Sequence, residues 1–243
     1  MPVTAFPEPQ TWQMVVESVD DLTPRMRRIR LSAPGLERLI ELPGQDIALA
    51  FRAEDGSKVR RRYSIRAFDR ERGLIEIVVV MHGDGPGMRW ASSARKGMDI
   101  EGIAPRGKIT IEPDADWHLF AGDATAVPGS FAMMERLPSG KQAFGFFLVD
   151  SPQERLPFGA TGSVQWRYGE PSIGAGSLLN AFQEIESRSG AGHAYLAGEV
   201  GLVTSLKAEL LNQGWSPEQI SGKAYWNQGR ANAGHGEPEQ KVS

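Results

Sequence analysis

The sequence predicts a two-domain protein, an antiparallel six-stranded β-barrel followed by an α/β domain with a parallel sheet. Two observations indicate this fold class. Up to about residue 113, short β-like runs are separated by turn residues, and beyond that point strands alternate with segments of helical periodicity. The length of 243 residues allows two domains of ordinary size. We therefore predict domains at residues 1–113 and 114–243.

The first domain is predicted from six short runs that are rich in apolar and β-branched residues. Runs of this length with turn residues between them are typical of a small antiparallel barrel. One further segment, MRWASSARK, has a composition that tolerates helix and is predicted as a single short helix that caps the barrel. The six predicted strands are TWQMVVESV, MRRIRLSA, QDIALAFRA, KVRRRYSIR, LIEIVVVM and GKITIEP.

The second domain is predicted from strands that alternate with helices, which implies parallel pairing because each crossover is helical. Helical periodicity is present in SLLNAFQEIES and VTSLKAELLNQ. The last residues, RANAGHGEPEQKVS, have no periodicity and are predicted to form a flexible tail. The predicted strands are DWHLFAG, KQAFGFFLVD, GSVQWRY, GHAYLAG and GKAYWN.

Composition restricts the chemistry and the location. No apolar run approaches the roughly 20 residues of a membrane span, and no secretory signal is visible, so we expect a cytoplasmic protein without stable membrane association. The absence of cysteine excludes disulfides and thiol catalysis, so redox chemistry requires a bound cofactor. The net charge of −3 argues against nucleic-acid binding. No hydrolase or metal-ligand motif is present, so we predict neither catalytic side chains nor metal ligands.

The densest motif is RRRYSIR, from Arg60 to Arg66. A flavin requires an aromatic side chain along its ring, hydrogen-bond partners at the ring edge and cations for its phosphates, and this segment supplies all three. A straight strand cannot direct both Tyr63 and Ser64 at one ligand. We therefore expect the strand to end or bend here, with the backbone amides near Ser64 and Arg66 left for the flavin. The alternative is a basic edge strand that resists aggregation.

A glycine-rich turn, HGDGPGMRWA, leads from a strand into a helix at residues 82–91. Free amides and the positive end of the helix dipole favour a diphosphate at such a helix start. Asp84 opposes an anion there. The alternatives are a tight connection without a ligand and, for His82, a packed side chain.

Three motifs of the second half lie where strands are predicted to end. AGDATAVP (residues 121–128) and LAGEVG (196–201) each follow an apolar strand, and ligands of doubly wound sheets bind at that edge. Capped helices without a ligand are the alternative. AYWNQGR (224–230) contains two adjacent aromatics, of which one can pack in the core while the other stacks on a ring. No GxGxxG dinucleotide fingerprint is present.

In this order, RRYSIR, HGDGPGMRWA, AGDATAVP, LAGEVG and YWNQGR resemble the siderophore-interacting protein family, FAD-dependent ferric-siderophore reductases within the ferredoxin-reductase-like superfamily. LTPRMRRIRL and PRGKI resemble the same family. The resemblance covers nearly the whole chain. It implies an FAD-binding barrel and an α/β domain like those that bind NAD(P)H.

The resemblance also implies site residues. The flavin ring and ribityl phosphate are assigned to Arg61, Tyr63, Ser64 and Arg66. The diphosphate turn is assigned to His82, Gly85, Pro86 and Gly87. The adenine or the electron donor is assigned to Asp123, Thr125 and Pro128, and Trp226 is placed near the cofactor in an undefined role.

Three positions depart from the family pattern. Met88 replaces a small hydroxyl residue, which removes one side-chain bond to phosphate. Ala124 replaces an acidic residue and Gly129 replaces an alanine, so the donor side departs more than the flavin side.

The function implied by the resemblance is reduction of a ferric siderophore to release Fe(II), with electrons passing from NAD(P)H, or from ferredoxin, through FAD. Surplus arginines together with Lys58 could form a basic docking patch for the anionic chelate. We expect a monomer. The alternatives are a general flavin or ferredoxin-type reductase, and a non-catalytic module that binds flavin or ferric siderophore.

Overall fold

The computed structural model describes residues 6–182 and 189–228. The described residues form two compact units. The first unit contains the chain up to Pro113 together with Phe131–Arg136, and the second contains Asp114–Ser130 and the chain from Leu137. The predicted tail at residues 230–243 lies outside the described residues.

The first unit is an antiparallel sheet in which the described residues form seven strands, with the short helix α1 at Pro86–Ser93. The strand order is β4-β3-β7-β1-β2-β6-β5. The strands are β1 (Gln10–Thr23), β2 (Met26–Ser32), β3 (Asp46–Arg52), β4 (Lys58–Ser64), β5 (Ala67–Asp69), β6 (Leu74–Val80) and β7 (Asp99–Arg106).

Two consecutive amides between β4 and β5 close this sheet. Ile65 N–H donates to the carbonyl of Gln45, just before β3, with an N–O distance of 3.0 Å. Arg66 N–H donates to the carbonyl of Glu76 in β6, at 2.8 Å. Because β3 and β6 lie near opposite ends of the strand order, these two bonds join the ends. The sheet is therefore a closed barrel, as predicted.

The predicted strand count of six is wrong, because two strands were missed and one was misplaced. GKITIEP, which alternates apolar and polar residues, is irregular in the structure, and the last strand is instead DIEGIAPR at Asp99–Arg106. Glycine and proline in that segment disfavour a strand prediction. Tertiary packing overrides this, because a Cβ at Gly102 would come within 2.9 Å of both Ile47 and Met14 in the barrel core. The other missed strand is the three-residue β5.

The second unit has the predicted parallel sheet, in the order β10-β9-β8-β11-β12. All five predicted strands are confirmed. The elements of this part of the chain are β8 (Trp117–Asp123), α2 (Val127–Met134), β9 (Gln142–Val149), β10 (Ser163–Tyr168), α3 (Pro171–Phe182), β11 (Gly192–Glu199), α4 (Val200–Asn212) and β12 (Ile220–Trp226). The residues of α2 from Phe131 onward group with the first unit.

The central strand β8 is buried along its whole length. A parallel strand with neighbours on both sides reads as an almost continuous apolar run, and WHLFAGD has this character until its last residue. Leu119 and Ala121 pack in a core with Leu196 of β11 and Leu206 of α4. The buried acid that ends β8, Asp123, is therefore an exception that requires hydrogen-bond partners.

Candidate functional site

The start of α1 has the geometry of an anion-binding turn. Gly85 is the N-cap in an extended conformation, Pro86 is the first helical residue, and among the described residues no side chain caps this end. The first amides of the helix therefore lack the side-chain acceptor that usually satisfies them. Arg89 donates to the carbonyl of Asp84 at 2.7 Å, which brings a cation to a turn that already contains an acidic side chain.

The structure brings three predicted site residues, Arg61, Tyr63 and Gly87, together beneath this turn. A Cβ at Gly87 would overlap the Tyr63 hydroxyl and lie 3.5 Å from Cγ of Arg61 and from the ring of Phe51. Alternation on β4 explains the pairing, because Arg61 and Tyr63 share one face of the strand. A glycine at this helix position therefore allows the first turn of α1 to approach β4 closely.

Burial further stabilises the neutral form of Tyr63. Its ring packs edge-on against Phe51, with centroids 6.4 Å apart. Desolvation raises the pKa of Tyr63 well above the ordinary value for a phenol, and the charge of Arg61 opposes this only in part. The hydroxyl is therefore neutral at physiological pH and can donate a hydrogen bond.

The end of β4 differs in one respect from the prediction. The strand ends at Ser64, in agreement with the prediction that it ends or bends here, and Ser64 is half-buried. The amide of Arg66, however, is not left for a ligand, because it donates to Glu76 in closing the barrel. The expectation of a free amide at Arg66 is wrong for this reason.

The arginine side chains of the motif are largely committed to carboxylates. Arg66 donates through both terminal nitrogens to Glu135, each at 2.6 Å, and its guanidinium lies 5.9 Å from the centroid of the Phe131 ring. Arg62 pairs with the buried Asp46 at 2.8 Å. Lys58 and Arg60 both pair with Glu101, at 2.6 and 3.5 Å. Lys58 thus has a carboxylate partner within the first unit.

His82 lies between β6 and α1, where it is half-buried. Its amide donates to the carbonyl of Val80 at 3.0 Å, which turns the chain toward the glycines. This places His82 at the entrance of the turn that contains Gly85 and Pro86.

In the second unit, Asp123 at the end of β8 is hydrogen-bonded to residues at the ends of β11 and β12. Its Oδ1 accepts from the amide and the hydroxyl of Thr125, at 2.8 and 2.5 Å. Its Oδ2 accepts from the amide of Glu199 at 2.6 Å and from the indole Nε1 of Trp226 at 3.0 Å. Burial raises the pKa of Asp123, and these donors oppose the rise by stabilising the carboxylate.

Of the other residues predicted near the adenine or the electron donor, Thr125 and Trp226 contact this carboxylate. Thr125 is half-buried and commits its amide and hydroxyl to Asp123, while Pro128 is buried within α2. Trp226 is half-buried at the end of β12. Asp123 itself is 2% exposed, so it is not positioned to contact a ligand directly.

Glu199 is a polar residue of this edge that the sequence reasoning did not single out. It is buried, and its Oε2 accepts from the amide of Leu202 at 2.9 Å, which caps α4. The signal was available, since an acid that directly follows an apolar strand and precedes a helical pattern is typical of an N-terminal cap.

Comparison with known proteins supplies the family. Residues 50–109 match the Siderophore-interacting FAD-binding domain, and residues 115–229 match the Siderophore-interacting protein family. The chain belongs to the siderophore-interacting protein family. The first match contains β4 and the turn before α1, and the second contains Asp123 and Trp226.

Relatives of this siderophore-interacting protein include a named reductase and solved structures. Ferric vibriobactin reductase ViuB of Vibrio cholerae is 29% identical over 178 residues, which cover 71% of this chain and 66% of ViuB. The matched region therefore spans slightly less than two thirds of that relative's length. A siderophore utilization protein from T. fusca superposes with a TM-score of 0.83 at 26% identity, covering 93% of this chain and 96% of its own.

The same fold occurs in more distant reductases. A ferredoxin NADP+ reductase from Neisseria gonorrhoeae, solved with bound FAD and NADP, superposes with a TM-score of 0.67 at 16% identity, covering 89% of this chain and 99% of its own. At this identity the likeness shows the fold alone. Within the residues that the structure describes, none of the helices has both the length and the apolar character that a membrane span requires.

The first unit fits the FAD that the matched domain is named for. The fit rests on one structural feature, the close approach of α1 to β4 at Gly87, which brings an aromatic hydroxyl and an arginine stem beneath an uncapped helix start. The amides of the helix start and the Tyr63 hydroxyl are hydrogen-bond donors of the types that a flavin and its diphosphate require, and the arginine stem adds an apolar contact.

Proposed function

We propose that this protein is an FAD-dependent oxidoreductase that reduces a ferric siderophore with electrons from NAD(P)H and thereby releases Fe(II). The observation that carries the proposal is the cradle formed by Arg61, Tyr63 and Gly87 under the start of α1, within the range that matches an FAD-binding domain. The named function of ViuB supports the ferric siderophore as substrate. The proposal places the protein in the cytoplasm as a monomer without stable membrane association.

FAD, when bound, accepts two electrons from a nicotinamide and can deliver them singly, which suits a ferric acceptor. The role of the protein is to hold the cofactor and to orient it. The amides at the start of α1, from Gly85 and Gly87 onward, would donate to the diphosphate, where the dipole of the helix is favourable. Because Met88 supplies no hydroxyl, that position adds no side-chain hydrogen bond, and the backbone amides would be the donors at this end of the diphosphate.

The neutral hydroxyl of Tyr63 and the side chains of Arg61 and Ser64 would hold the flavin portion of the cofactor. Arg66 would approach the ribityl phosphate end. None of these groups needs to act as a general acid or base, since electron transfer to Fe(III) requires orientation and tuning only. This agrees with the absence of a hydrolase or acid–base motif from the sequence.

The ferric chelate is the substrate of the proposed reaction. Reduction favours release because hard oxygen donors hold Fe(II) less firmly than Fe(III). Many such chelates are anionic, and the first unit contains most of the arginines of the chain. NAD(P)H is the proposed donor, and its site is assigned to the carboxyl edge of the second sheet near Asp123, Thr125 and Trp226.

A visible spectrum followed by anaerobic turnover tests the proposal. The purified full chain is expected to bind FAD, to be bleached by NADH or NADPH, and to convert a ferric siderophore to Fe(II) that a ferrous chelator captures. An equal concentration of free FAD is the control. A folded protein with no affinity for FAD, or a rate equal to that of the control, would contradict the proposal.

Two outcomes identify the alternatives. Preferential reduction of added free flavin over the ferric chelate would indicate a general flavin reductase. FAD that binds but that neither NADH nor NADPH bleaches would indicate a binding module, which the substitutions at Ala124 and Gly129 make worth testing.

A further inference from the structure

The carboxylate of Asp123 joins a buried network to a half-buried aromatic ring. Its Oδ2 is shared by the amide of Glu199, which belongs to the neighbouring strand, and by the indole N–H of Trp226, which lies one strand further away. The bond to Glu199 already ties β8 to β11. The bond to Trp226 runs from β8 to β12, which are not adjacent in the sheet. The sheet does not need this bond to hold β12 in place, because β12 already pairs with β11 through its own backbone ladder.

The backbone is shaped to allow this second bond. The register pairs Gly198 with Ala224 and then Glu199 with Trp226, so Tyr225 is an extra residue that forms a bulge. A bulge changes the direction of the side chains that follow it. Gly198 has a φ of 127°, and a Cβ there would lie 2.6 Å from Oδ2 of Asp123. Both features allow the carboxylate and the indole to meet.

We propose that Asp123 is a positioning residue that acts on the bound electron donor only through the ring of Trp226. The inference rests on the proposed function, because the ligand is the planar ring of a nicotinamide dinucleotide. At 2% exposure Asp123 does not reach a ligand, whereas Trp226 is half-buried at the sheet edge where such folds bind nucleotides. A fixed indole loses less freedom when a ring stacks on it.

A direct test measures the hydrogen bond in the free protein. The indole N–H of Trp226 is observed by NMR in the wild type, in Asp123→Asn and in Glu199→Gln. The resonance is expected to move in Asp123→Asn, because the amide group cannot present two acceptor oxygens. Glu199→Gln is the matched control, since it alters a neighbouring buried carboxylate whose contacts are with Leu202 and Gln228. A resonance unmoved in Asp123→Asn overturns the proposal.

A double-mutant cycle tests whether Asp123 affects binding of the electron donor through Trp226. Asp123→Asn is expected to raise the KM for NADH or NADPH about threefold to tenfold, the range that loss of one aromatic stack gives. FAD content and the visible spectrum are expected to stay unchanged. In a Trp226→Phe background, which lacks the indole N–H, the same substitution is expected to have no further effect on KM. An equal effect in both backgrounds indicates a merely structural role and overturns the proposal.

Failure of the proposed function is distinguishable from failure of this inference. If the wild type does not turn over, the readout is the shift of the Trp226 indole N–H resonance on titration with NAD+ or NADP+, because fluorescence would report all six tryptophans of the chain. The titration is compared between the wild type and Asp123→Asn, and equal shifts with equal affinity in both proteins overturn the proposal. If Asp123→Asn does not fold, Trp226→Phe is compared with the wild type instead, and an unchanged donor affinity overturns it.

Discussion

Arg66 and Glu135 form a two-pronged ion pair in which both terminal guanidinium nitrogens lie 2.6 Å from the two carboxylate oxygens. The two residues are 69 positions apart in the sequence, yet both belong to the first unit, because Phe131–Arg136 group with it. A second pair, between Arg136 and Glu41, holds the same segment. The RRRYSIR motif predicts that Arg66 binds a phosphate of the cofactor. In the structure the charge of Arg66 is neutralised by Glu135, which lies outside the motif.

This pair predicts that Glu135 weakens FAD binding. Replacing Glu135 by Gln removes the charge that competes with the phosphate for Arg66, and we expect FAD affinity to rise about threefold to tenfold, equivalent to about 1 kcal/mol for a partly screened charge. Fluorescence titration of FAD measures the effect. Glu41→Gln, which disturbs the neighbouring pair, is the control and should leave FAD affinity unchanged. A weaker affinity in Glu135→Gln would show that the pair itself supports the site.

Gly87→Ala is expected to destabilise the first unit and to lower FAD affinity, because the new Cβ overlaps the Tyr63 hydroxyl. Overpacking of this kind costs about 1–3 kcal/mol. Tyr63→Phe in the same chain removes the overlapping oxygen and should restore most of the lost stability, as measured by urea unfolding. If the double variant is no more stable than Gly87→Ala alone, the overlap is not the cause.

Gly198→Ala is expected to cost more stability than Gly214→Ala. Both glycines have positive φ, at 127° and 90°, so both substitutions introduce backbone strain of about 1–3 kcal/mol. Apart from Gly214 itself and its two chain neighbours, no heavy atom of the described residues lies within 4 Å of a Cβ at Gly214, whereas a Cβ at Gly198 meets the Asp123 carboxylate. The larger loss expected at Gly198 contains that crowding together with the difference in backbone strain between φ values of 127° and 90°. Equal losses would contradict the crowding at Asp123.

We expect the second unit to lose stability in acid because of the buried side chain of His118. It is fully buried, and its Nε2 has no hydrogen-bond partner among the described residues. Desolvation, followed by the charges of His193 and Lys141, lowers its pKa to about 4. The unfolded chain, with a pKa near 6.5, binds the proton first, so stability is complete above about pH 6.5 and is lost as pH falls toward about pH 4, by about 3 kcal/mol.

His118→Phe measures this contribution, since a phenyl ring can keep the stacking against Tyr195 and the tilted contact with Phe120. Thermal unfolding of the variant should depend less steeply on pH than that of the wild type between about pH 6.5 and about pH 4. Parallel pH profiles for the two proteins would contradict the assignment to His118.

The second sheet was predictable because its strands are buried on both faces and are separated by helices of clear periodicity. WHLFAGD and GHAYLAGE are apolar over nearly their whole length, so each strand is recognisable without knowledge of its neighbours. The barrel was less predictable. DIEGIAPR forms a strand only because β1 and β3 lie on either side of it, and GKITIEP has the alternation of a strand but no ladder among the described strands.

The sequence by itself determined the two-part architecture, the family resemblance and the motifs near a predicted cofactor, because periodicity and short-range spacing are local properties. Only the tertiary structure decided what the charged groups of those motifs do. Arg66 is neutralised by Glu135, and Asp123 is buried against Trp226, because each side chain meets a partner far away in the sequence. Whether a charge faces a ligand or an internal partner depends on the register of strands and the closure of the sheet, which residue order along one segment does not encode.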